Sequence, residues 1–151
     1  MTSLFFSTRF ISSCLLMIQK PVPTLSPDGW VRATAQKCDY IASYFLLSQY
    51  SQSYLYKGQI NSFVWILAEY KDNLKMIEAE TKKALERMFS SYFSRCSVEV
   101  TSKVTEDQKA SLYIYVEVTD ADNKTFKLGK VATIMNSKLE KIANINNYGH
   151  E

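Results

Sequence analysis

The sequence predicts an α+β fold in which N-terminal α-helices pack on a three-stranded antiparallel β-meander, followed by a short C-terminal helix. Residues 26–95 carry apolar side chains at helical spacing, whereas residues 97–134 alternate between apolar and polar side chains. Polar runs separate the alternating segments, as expected for turns. At 151 residues the chain is long enough for one domain with its own core. We therefore expect an extended arm over 1–25 and a single domain over 26–151.

The clearest element is a strand over 111–119, along which apolar and polar residues alternate strictly. The polar run 120–124 predicts a hairpin turn, and a second strand follows over 125–134. An earlier strand is expected over 97–104. The strand over 97–104 or the one over 125–134 should form a sheet edge that is able to accept a strand from a neighbouring chain. Gly129 is the candidate position for a bulge.

The first helix is predicted over about 27–53. Ser26 is a suitable N-cap, Pro27 suits the first helical position, and Asp28 suits the positive end of the helix dipole. Aromatic residues lie on several sides of this helix. It is therefore either central in the fold or covered by another subunit, and the sequence leaves both possibilities open.

Two further helices are predicted over about 59–71 and 72–95. The polar residues 71–73 form either a turn between them or a solvated helical surface. A short C-terminal helix is predicted over about 138–145, because Ser137 and Glu140 have the spacing of a capping box. The apolar residues that support this last helix are Leu139, Ile142 and Ile145.

The sequence contains no signature of catalysis, metal binding or nucleotide binding. Its glycines are isolated, so no phosphate-binding loop is formed. The single histidine, His150, lies near the C-terminus, which argues against a nucleophile–histidine pair and a zinc site. We read Asp120 and Asp122 as parts of a hairpin turn rather than as calcium ligands. The expected protein is not an enzyme and needs no cofactor and no metal.

The three cysteines, Cys14, Cys38 and Cys96, are widely spaced and odd in number, which indicates buried thiols in a reducing compartment. A single disulfide remains an open alternative. No segment approaches the ~20 apolar residues of a membrane helix. Residues 1–19 are either an arm or a degenerate targeting segment, and either Met1 or Met17 is the native start.

Ten tyrosines and eight phenylalanines are an unusually large number, and tyrosine is well suited to protein–protein contacts. Most of these rings are nevertheless expected in the core or at its edge. An alternative function is nucleic-acid binding, in which bases stack on the tyrosine-bearing and lysine-bearing face of the sheet. Glu99 and Glu117 should lie on that same face and repel phosphate. The candidate interface residues are Phe5, Phe6, Phe10, Tyr40, Tyr44, Tyr50, Tyr54, Tyr56, Tyr113 and Tyr115.

The layout also resembles a known class of proteins. A helix, TKKALERMFSSYFSR over 81–95, runs directly into the strand SVEVTS and the hairpin SLYIYVEVTDADNKTFKLGKV. This order is similar to that of small structural proteins of tailed-phage virions, of the neck, tail-adaptor and baseplate kind. In outline it resembles the sheath-initiator baseplate proteins, whose Gly-Glu-Arg motif has its nearest match here in Leu85-Glu86-Arg87.

The resemblance implies a ring-forming or wedge-forming subunit without catalytic activity. Its partners would be other virion structural proteins and copies of itself, with no small-molecule substrate and no membrane. The location implied is the virion, assembled in the host cytoplasm. A closed ring would require two different patches to meet on neighbouring copies. The arm before Pro27 and the tyrosines of the first helix are the candidate patches.

Overall fold

The computed structural model describes residues 22–23, 30–31, 33–48, 62–105 and 107–145. Within these residues, three helices precede a four-stranded antiparallel sheet, and a two-stranded ladder lies ahead of the first of them. The elements are β1 (Val22–Pro23), β2 (Trp30–Val31), α1 (Thr34–Leu47), α2 (Phe63–Tyr70), α3 (Leu74–Ser90), β3 (Arg95–Val104), β4 (Lys109–Thr119), β5 (Thr125–Met135) and β6 (Lys138–Asn144).

The large sheet has the strand order β3-β4-β5-β6, so each strand pairs with its neighbour in the chain. The prediction of a three-stranded meander with a C-terminal helix is therefore wrong. The segment predicted as that helix, 138–145, contains the whole of β6, which pairs antiparallel with β5. As a consequence β5 is an interior strand, and the sheet edges are β3 and β6.

A tight turn and a bulge explain why this segment is a strand. Asn136 and Ser137 have φ values of 50° and 58°, which are those of a two-residue hairpin turn. The register then shifts between Thr133 and Ile134, which marks a β-bulge. Because the bulge inserts one residue, Leu139 and Ile142 both face the helices although they are three positions apart. That step of three imitates helical spacing.

The first helix begins later than predicted. Trp30 and Val31, which the predicted helix included, form β2 and pair with β1, so the chain is extended at these two residues. The predicted cap and first turn, 26–29, lie outside the described residues. Helix α1 starts at Thr34, after the N-cap Ala33, which makes no side-chain cap. The other residues of the predicted arm (1–21 and 24–25) and the predicted end of the helix (49–53) lie outside the described residues.

Helices α2 and α3 are separated by a turn, as one of the two alternatives for residues 71–73 predicted. Lys71 has a φ of 44°, which ends α2. The Asn73 side chain then caps α3 by accepting a hydrogen bond from the Met76 N–H at 3.3 Å. Ser62 caps α2 in the same way, accepting from the Trp65 N–H at 3.2 Å. The two helices therefore begin with the side-chain caps that α1 lacks.

The core lies between the helices and one face of the large sheet. Phe45, Phe63 and Phe89 supply one fully buried aromatic ring from each helix, and the rings of Phe45 and Phe63 are 6.1 Å apart. The sheet contributes the alternating apolar residues of β4, which are Leu112, Ile114, Val116 and Val118. No helix among the described residues packs on the opposite face of the sheet.

Helix α3 also covers the free edge of β3. The Ser102 N–H points away from β4 and donates to Glu78 Oε1 at 2.5 Å. Farther along, the Cys96 thiol lies 3.8 Å from the Glu86 carbonyl oxygen. An edge N–H that is already hydrogen-bonded to a carboxylate is not available to pair with another strand. None of the helices described is long and apolar enough to cross a membrane.

Candidate protein interface

We call the side of the large sheet that faces away from the helices the outer face. The register places Tyr113 and Tyr115 there, since Leu112, Ile114 and Val116 point toward the core. In strand order the outer-face positions are Arg95, Ser97, Glu99, Thr101 and Lys103 on β3; Lys109, Ser111, Tyr113, Tyr115, Glu117 and Thr119 on β4; Thr125, Lys127, Gly129, Val131, Thr133 and Met135 on β5; and Lys138, Lys141 and Ala143 on β6. Glu140, the extra residue at the bulge, joins them through its pair with Lys109.

The middle of this face is apolar. Tyr113 lies opposite Val131, and Val131 lies opposite Ala143, so three strands contribute one continuous row. In the next row Tyr115 lies opposite Gly129. Both tyrosines and Val131 are only partly exposed. We use the name apolar centre for the set formed by Tyr113, Tyr115, Val131, Ala143 and Ile145.

Gly129 allows Ile145 to complete the apolar centre. The Ile145 N–H donates to the Gly129 carbonyl oxygen at 2.9 Å, which extends the pairing of β6 by one position. A Cβ atom on residue 129 would lie 3.1 Å from Ile145 Cβ and 3.5 Å from Tyr115 Cδ1. The absence of a side chain therefore lets an aliphatic and an aromatic residue approach each other above the backbone.

Charged residues surround the apolar centre. The Lys103 ammonium lies 5.2 Å from the centroid of the Tyr113 ring, within the range of a cation–π contact. Lys127 pairs with Glu117 and Lys109 pairs with Glu140, each at 3.5 Å. These pairs are exposed, so each contributes little to stability. Basic residues exceed acidic ones here; they are Arg95, Lys103, Lys109, Lys127, Lys138 and Lys141 against Glu99, Glu117 and Glu140.

A shallow groove of about 230 Å³ lies beside Tyr115 on this face. Its lining includes the carboxylates of Glu99 and Glu117 and the Lys127 ammonium. Glu99 is directly opposite Tyr115 in the register, which agrees with the sequence-based expectation that these acids share the tyrosine face. Ser97, another lining residue, is directly opposite Glu117 in the register. A shallow groove lined by charged and hydroxyl side chains is suited to holding a polar side chain of a partner.

The structure brings only part of the predicted interface together. Tyr113 and Tyr115 are neighbours on the outer face, whereas Tyr40 and Tyr44 are on α1, on the other side of the sheet. Tyr40 packs against the core, and Tyr44 is 43% exposed. The remaining candidates lie outside the described residues; they are Phe5, Phe6, Phe10, Tyr50, Tyr54 and Tyr56.

Sequence reasoning missed three members of the apolar centre. The alternation along β5 puts Val131 on the face of Gly129 and Thr133, so a strict period-two reading contained this signal. Ala143 and Ile145 were concealed by the helical interpretation of the C-terminal segment. Only the register of β6, which depends on the bulge, places them beside Val131 and Gly129.

The β4–β5 turn is a hydrogen-bonded hairpin turn. The Asp120 N–H donates to the Lys124 carbonyl at 2.9 Å, and Asn123 adopts a φ of 57°. The Asp120 carboxylate accepts from the Ala121 N–H at 2.7 Å and from the Thr34 hydroxyl at the start of α1. The bond from Thr34 lowers the pKa of the Asp120 carboxyl. Among the described residues, no group of three or more His, Cys, Asp and Glu is placed to hold a metal ion.

The two described cysteines are poor nucleophiles. Burial, and then the charge of Asp120, raise the pKa of the Cys38 thiol to about 12. Burial and Glu86 also raise the pKa of Cys96. Each is a free thiol in the structure. Because the thiolate is the reactive form, neither residue is prepared for covalent catalysis.

The outer face thus offers a tyrosine-bearing apolar centre, a rim with more basic than acidic residues and a shallow groove. The pattern suits contact with another macromolecule. Comparison of the chain with models of known families, with curated proteins and with solved structures finds no match in any of the three.

Proposed function

We propose that the chain is a non-enzymatic structural subunit of a multi-protein assembly, which it joins through protein–protein contacts made by the outer face. The observation that carries this proposal is the apolar centre, which no described helix covers. Tyr113 and Tyr115 offer large and rigid contact area with a polar end, and such residues are enriched in the cores of interfaces. The charged rim supplies the polar border that such contacts usually have.

The assembly we propose is a tailed-phage virion, at its neck, tail adaptor or baseplate. This part of the proposal is supported by the order of elements in the sequence, in which helix α3 leads directly into β3 and the β4–β5 hairpin. Its partners are then other virion proteins and copies of this chain, and its location is the virion. Mass spectrometry of purified particles tests this part directly, because the protein must be present at a fixed ratio to the other structural proteins.

The contact itself is tested by co-expressing the full chain with the products of its neighbouring genes and measuring complex formation. Val131→Asp places a carboxylate in the apolar centre, so we expect binding to fall at least tenfold. The matched control is Met76→Asp, which adds the same charge at an exposed position on α3, 40% exposed and on the helical side. Equal binding by the two variants, with both folded by circular dichroism, would contradict the proposal.

Nucleic-acid binding is the second candidate, and the excess of basic residues on the outer face favours it. Two contacts count against it. Lys103 already lies over the Tyr113 ring, and Glu99 lies opposite Tyr115, where a phosphate would be repelled. Fluorescence anisotropy with a single-stranded oligonucleotide of about 20 residues separates the candidates, since nucleic-acid binding must weaken steeply with salt.

A further inference from the structure

The two edges of the large sheet differ in what satisfies their backbone groups. On β3, the outward Ser102 amide is bonded to Glu78, and α3 lies alongside the strand. On β6, no described residue makes a hydrogen bond to a backbone group that points away from β5. A strand edge of this kind is a template for pairing with another strand. The edge of β6 is therefore the part of the sheet that is able to accept one.

The register identifies which groups of β6 point outward. Ile145 donates to the Gly129 carbonyl, so these two residues are a hydrogen-bonded pair, and the alternation directs the Ile142 amide and carbonyl away from β5. On the other side of the bulge, Met135 and Lys138 are the hydrogen-bonded pair that closes the two-residue turn. The alternation therefore directs the Leu139 amide and carbonyl away from β5 as well. Leu139 and Ile142 thus present backbone groups that no described residue bonds, while their side chains face the core.

We propose that this edge is the contact between two copies of the chain, with the two β6 strands antiparallel around a two-fold axis between Glu140 and Lys141. Leu139 of each copy then pairs with Ile142 of the other. Leu139 and Ile142 are three positions apart in both copies, because both copies contain the bulge. The two Leu139–Ile142 pairs can therefore form at the same time. The product is a continuous sheet of eight strands with all helices on one side.

Charge favours this register over its neighbours. Glu140 of each copy lies opposite Lys141 of the other, which gives two cross-strand pairs of opposite charge. A shift that centres the axis on Lys141 would set two lysines against each other, and a shift that centres it on Glu140 would set two glutamates against each other. The contact is isologous and uses an edge rather than the outer face, so it stands independently of the function proposed above.

The test is sedimentation equilibrium of the full chain over a wide range of concentration, with charge-reversal variants. Glu140→Lys alone and Lys141→Glu alone should each weaken dimerisation roughly tenfold or more, since each replaces two attractive pairs by two repulsive ones. The double variant carrying both changes should dimerise like the wild type. A mixture of the two single variants should form a heterodimer tighter than either homodimer.

The control for local structure is Lys109→Ala, which removes the intrachain partner of Glu140 and should leave dimerisation unchanged. A second variant, Ile142→Pro, removes one outward amide without breaking a bond to β5, and should give a monomer. The proposal is overturned by a wild-type chain that stays monomeric at millimolar concentration, or by a double reversal that does not restore the dimer. If Ile142→Pro does not fold, the charge-reversal series decides.

Discussion

Lys130 is a buried cation that joins the sheet to the first helix through Asp39. Its Nζ donates to Asp39 Oδ1 at 2.7 Å and to Asn144 Oδ1 at 2.9 Å, and only 5% of its side chain is exposed, against 54% for Asp39. Lys130 occupies a core-facing position of β5, opposite Ile114. These two hydrogen bonds of one side chain therefore connect β5 to α1 and to the end of β6.

The unequal exposure of the pair predicts unequal effects of mutation. Asp39→Ala leaves a buried ammonium with Asn144 as its described partner, and we expect a loss of about 1–3 kcal/mol in the free energy of unfolding. Lys130→Met fills the same space without a charge and leaves Asp39 exposed to water, so its effect should be smaller. Urea unfolding of both variants measures the difference, and a larger loss for Lys130→Met would contradict this account.

Thr81 on α3 is fully buried, and its hydroxyl has no hydrogen-bond partner among the described residues. A buried polar group in this condition destabilises the fold. Thr81→Val has nearly the same shape and should raise the free energy of unfolding by about 1–2 kcal/mol. Thr81→Ser keeps the hydroxyl, removes a methyl group from the core and should lower it. Thermal or urea unfolding measures these changes. A Thr81→Val variant that is less stable than the wild type would show that the Thr81 hydroxyl has a hydrogen-bond partner in solution.

Asp120 gives the fold a defined dependence on pH. The bond from the Thr34 hydroxyl lowers the pKa of this carboxyl in the folded state below 3.8, its ordinary value. A carboxyl with a lowered folded-state pKa contributes stability that is complete above its unfolded-state pKa and is lost as the pH falls through the folded-state pKa. Thr34→Val should therefore reduce stability at neutral pH and flatten the decline below pH 3.8. Urea midpoints between pH 2 and pH 6 measure both effects; identical curves for the two proteins would refute the role of Thr34.

Strict alternation in the sequence identified much of the sheet and the position of two candidate interface residues. The strand predicted over 111–119 lies within β4, and Tyr113 and Tyr115 share a face as the alternation requires. The signal is strong there because β4 is an interior strand with one side in the core and no bulge. Buried and partly exposed residues therefore alternate along most of β4, as the sequence pattern does.

The end of the sheet was not predictable by the same reasoning. A bulge opposite Thr133 changes the spacing of core residues on β6 from two to three, so Leu139 and Ile142 gave a helical pattern. Ser137, which was interpreted as a helix cap, is a turn residue with positive φ. Both errors have one cause: the bulge is set by the pairing with β5, which the local sequence does not specify. For the same reason the sequence analysis did not include Ala143 and Ile145 among the candidate interface residues.

Cys38 should be protected from alkylation in the folded protein. Burial raises the pKa of its thiol to about 12, so almost no thiolate is present at pH 8, and the side chain is also inaccessible. Peptide-level mass spectrometry after iodoacetamide treatment should show labelling of Cys38 at least a hundredfold slower in the native chain than in urea. Cys96, which is less buried, should be labelled faster than Cys38. Rapid native labelling of Cys38 would place it at the surface in solution.

Gly129 connects the stability of the sheet to the shape of the outer face. A valine side chain there would press against Ile145 and Tyr115, because even its Cβ would lie 3.1 Å from Ile145 Cβ. We expect Gly129→Val to lower the free energy of unfolding by about 1–3 kcal/mol and to displace Ile145 from the apolar centre.

The matched control is Thr133→Val, which introduces the same side chain at another outer-face position of β5, between Ser111 and Lys141. Valine has nearly the same shape as the threonine that it replaces, so its effect should stay within about 0.5 kcal/mol. Urea unfolding measures stability, and the methyl chemical shifts of Ile145 report its position. If Gly129→Val is as stable as Thr133→Val and the Ile145 methyl shifts are unchanged, the close contact of Ile145 with Gly129 does not exist in solution, and the apolar centre ends at Val131 and Ala143.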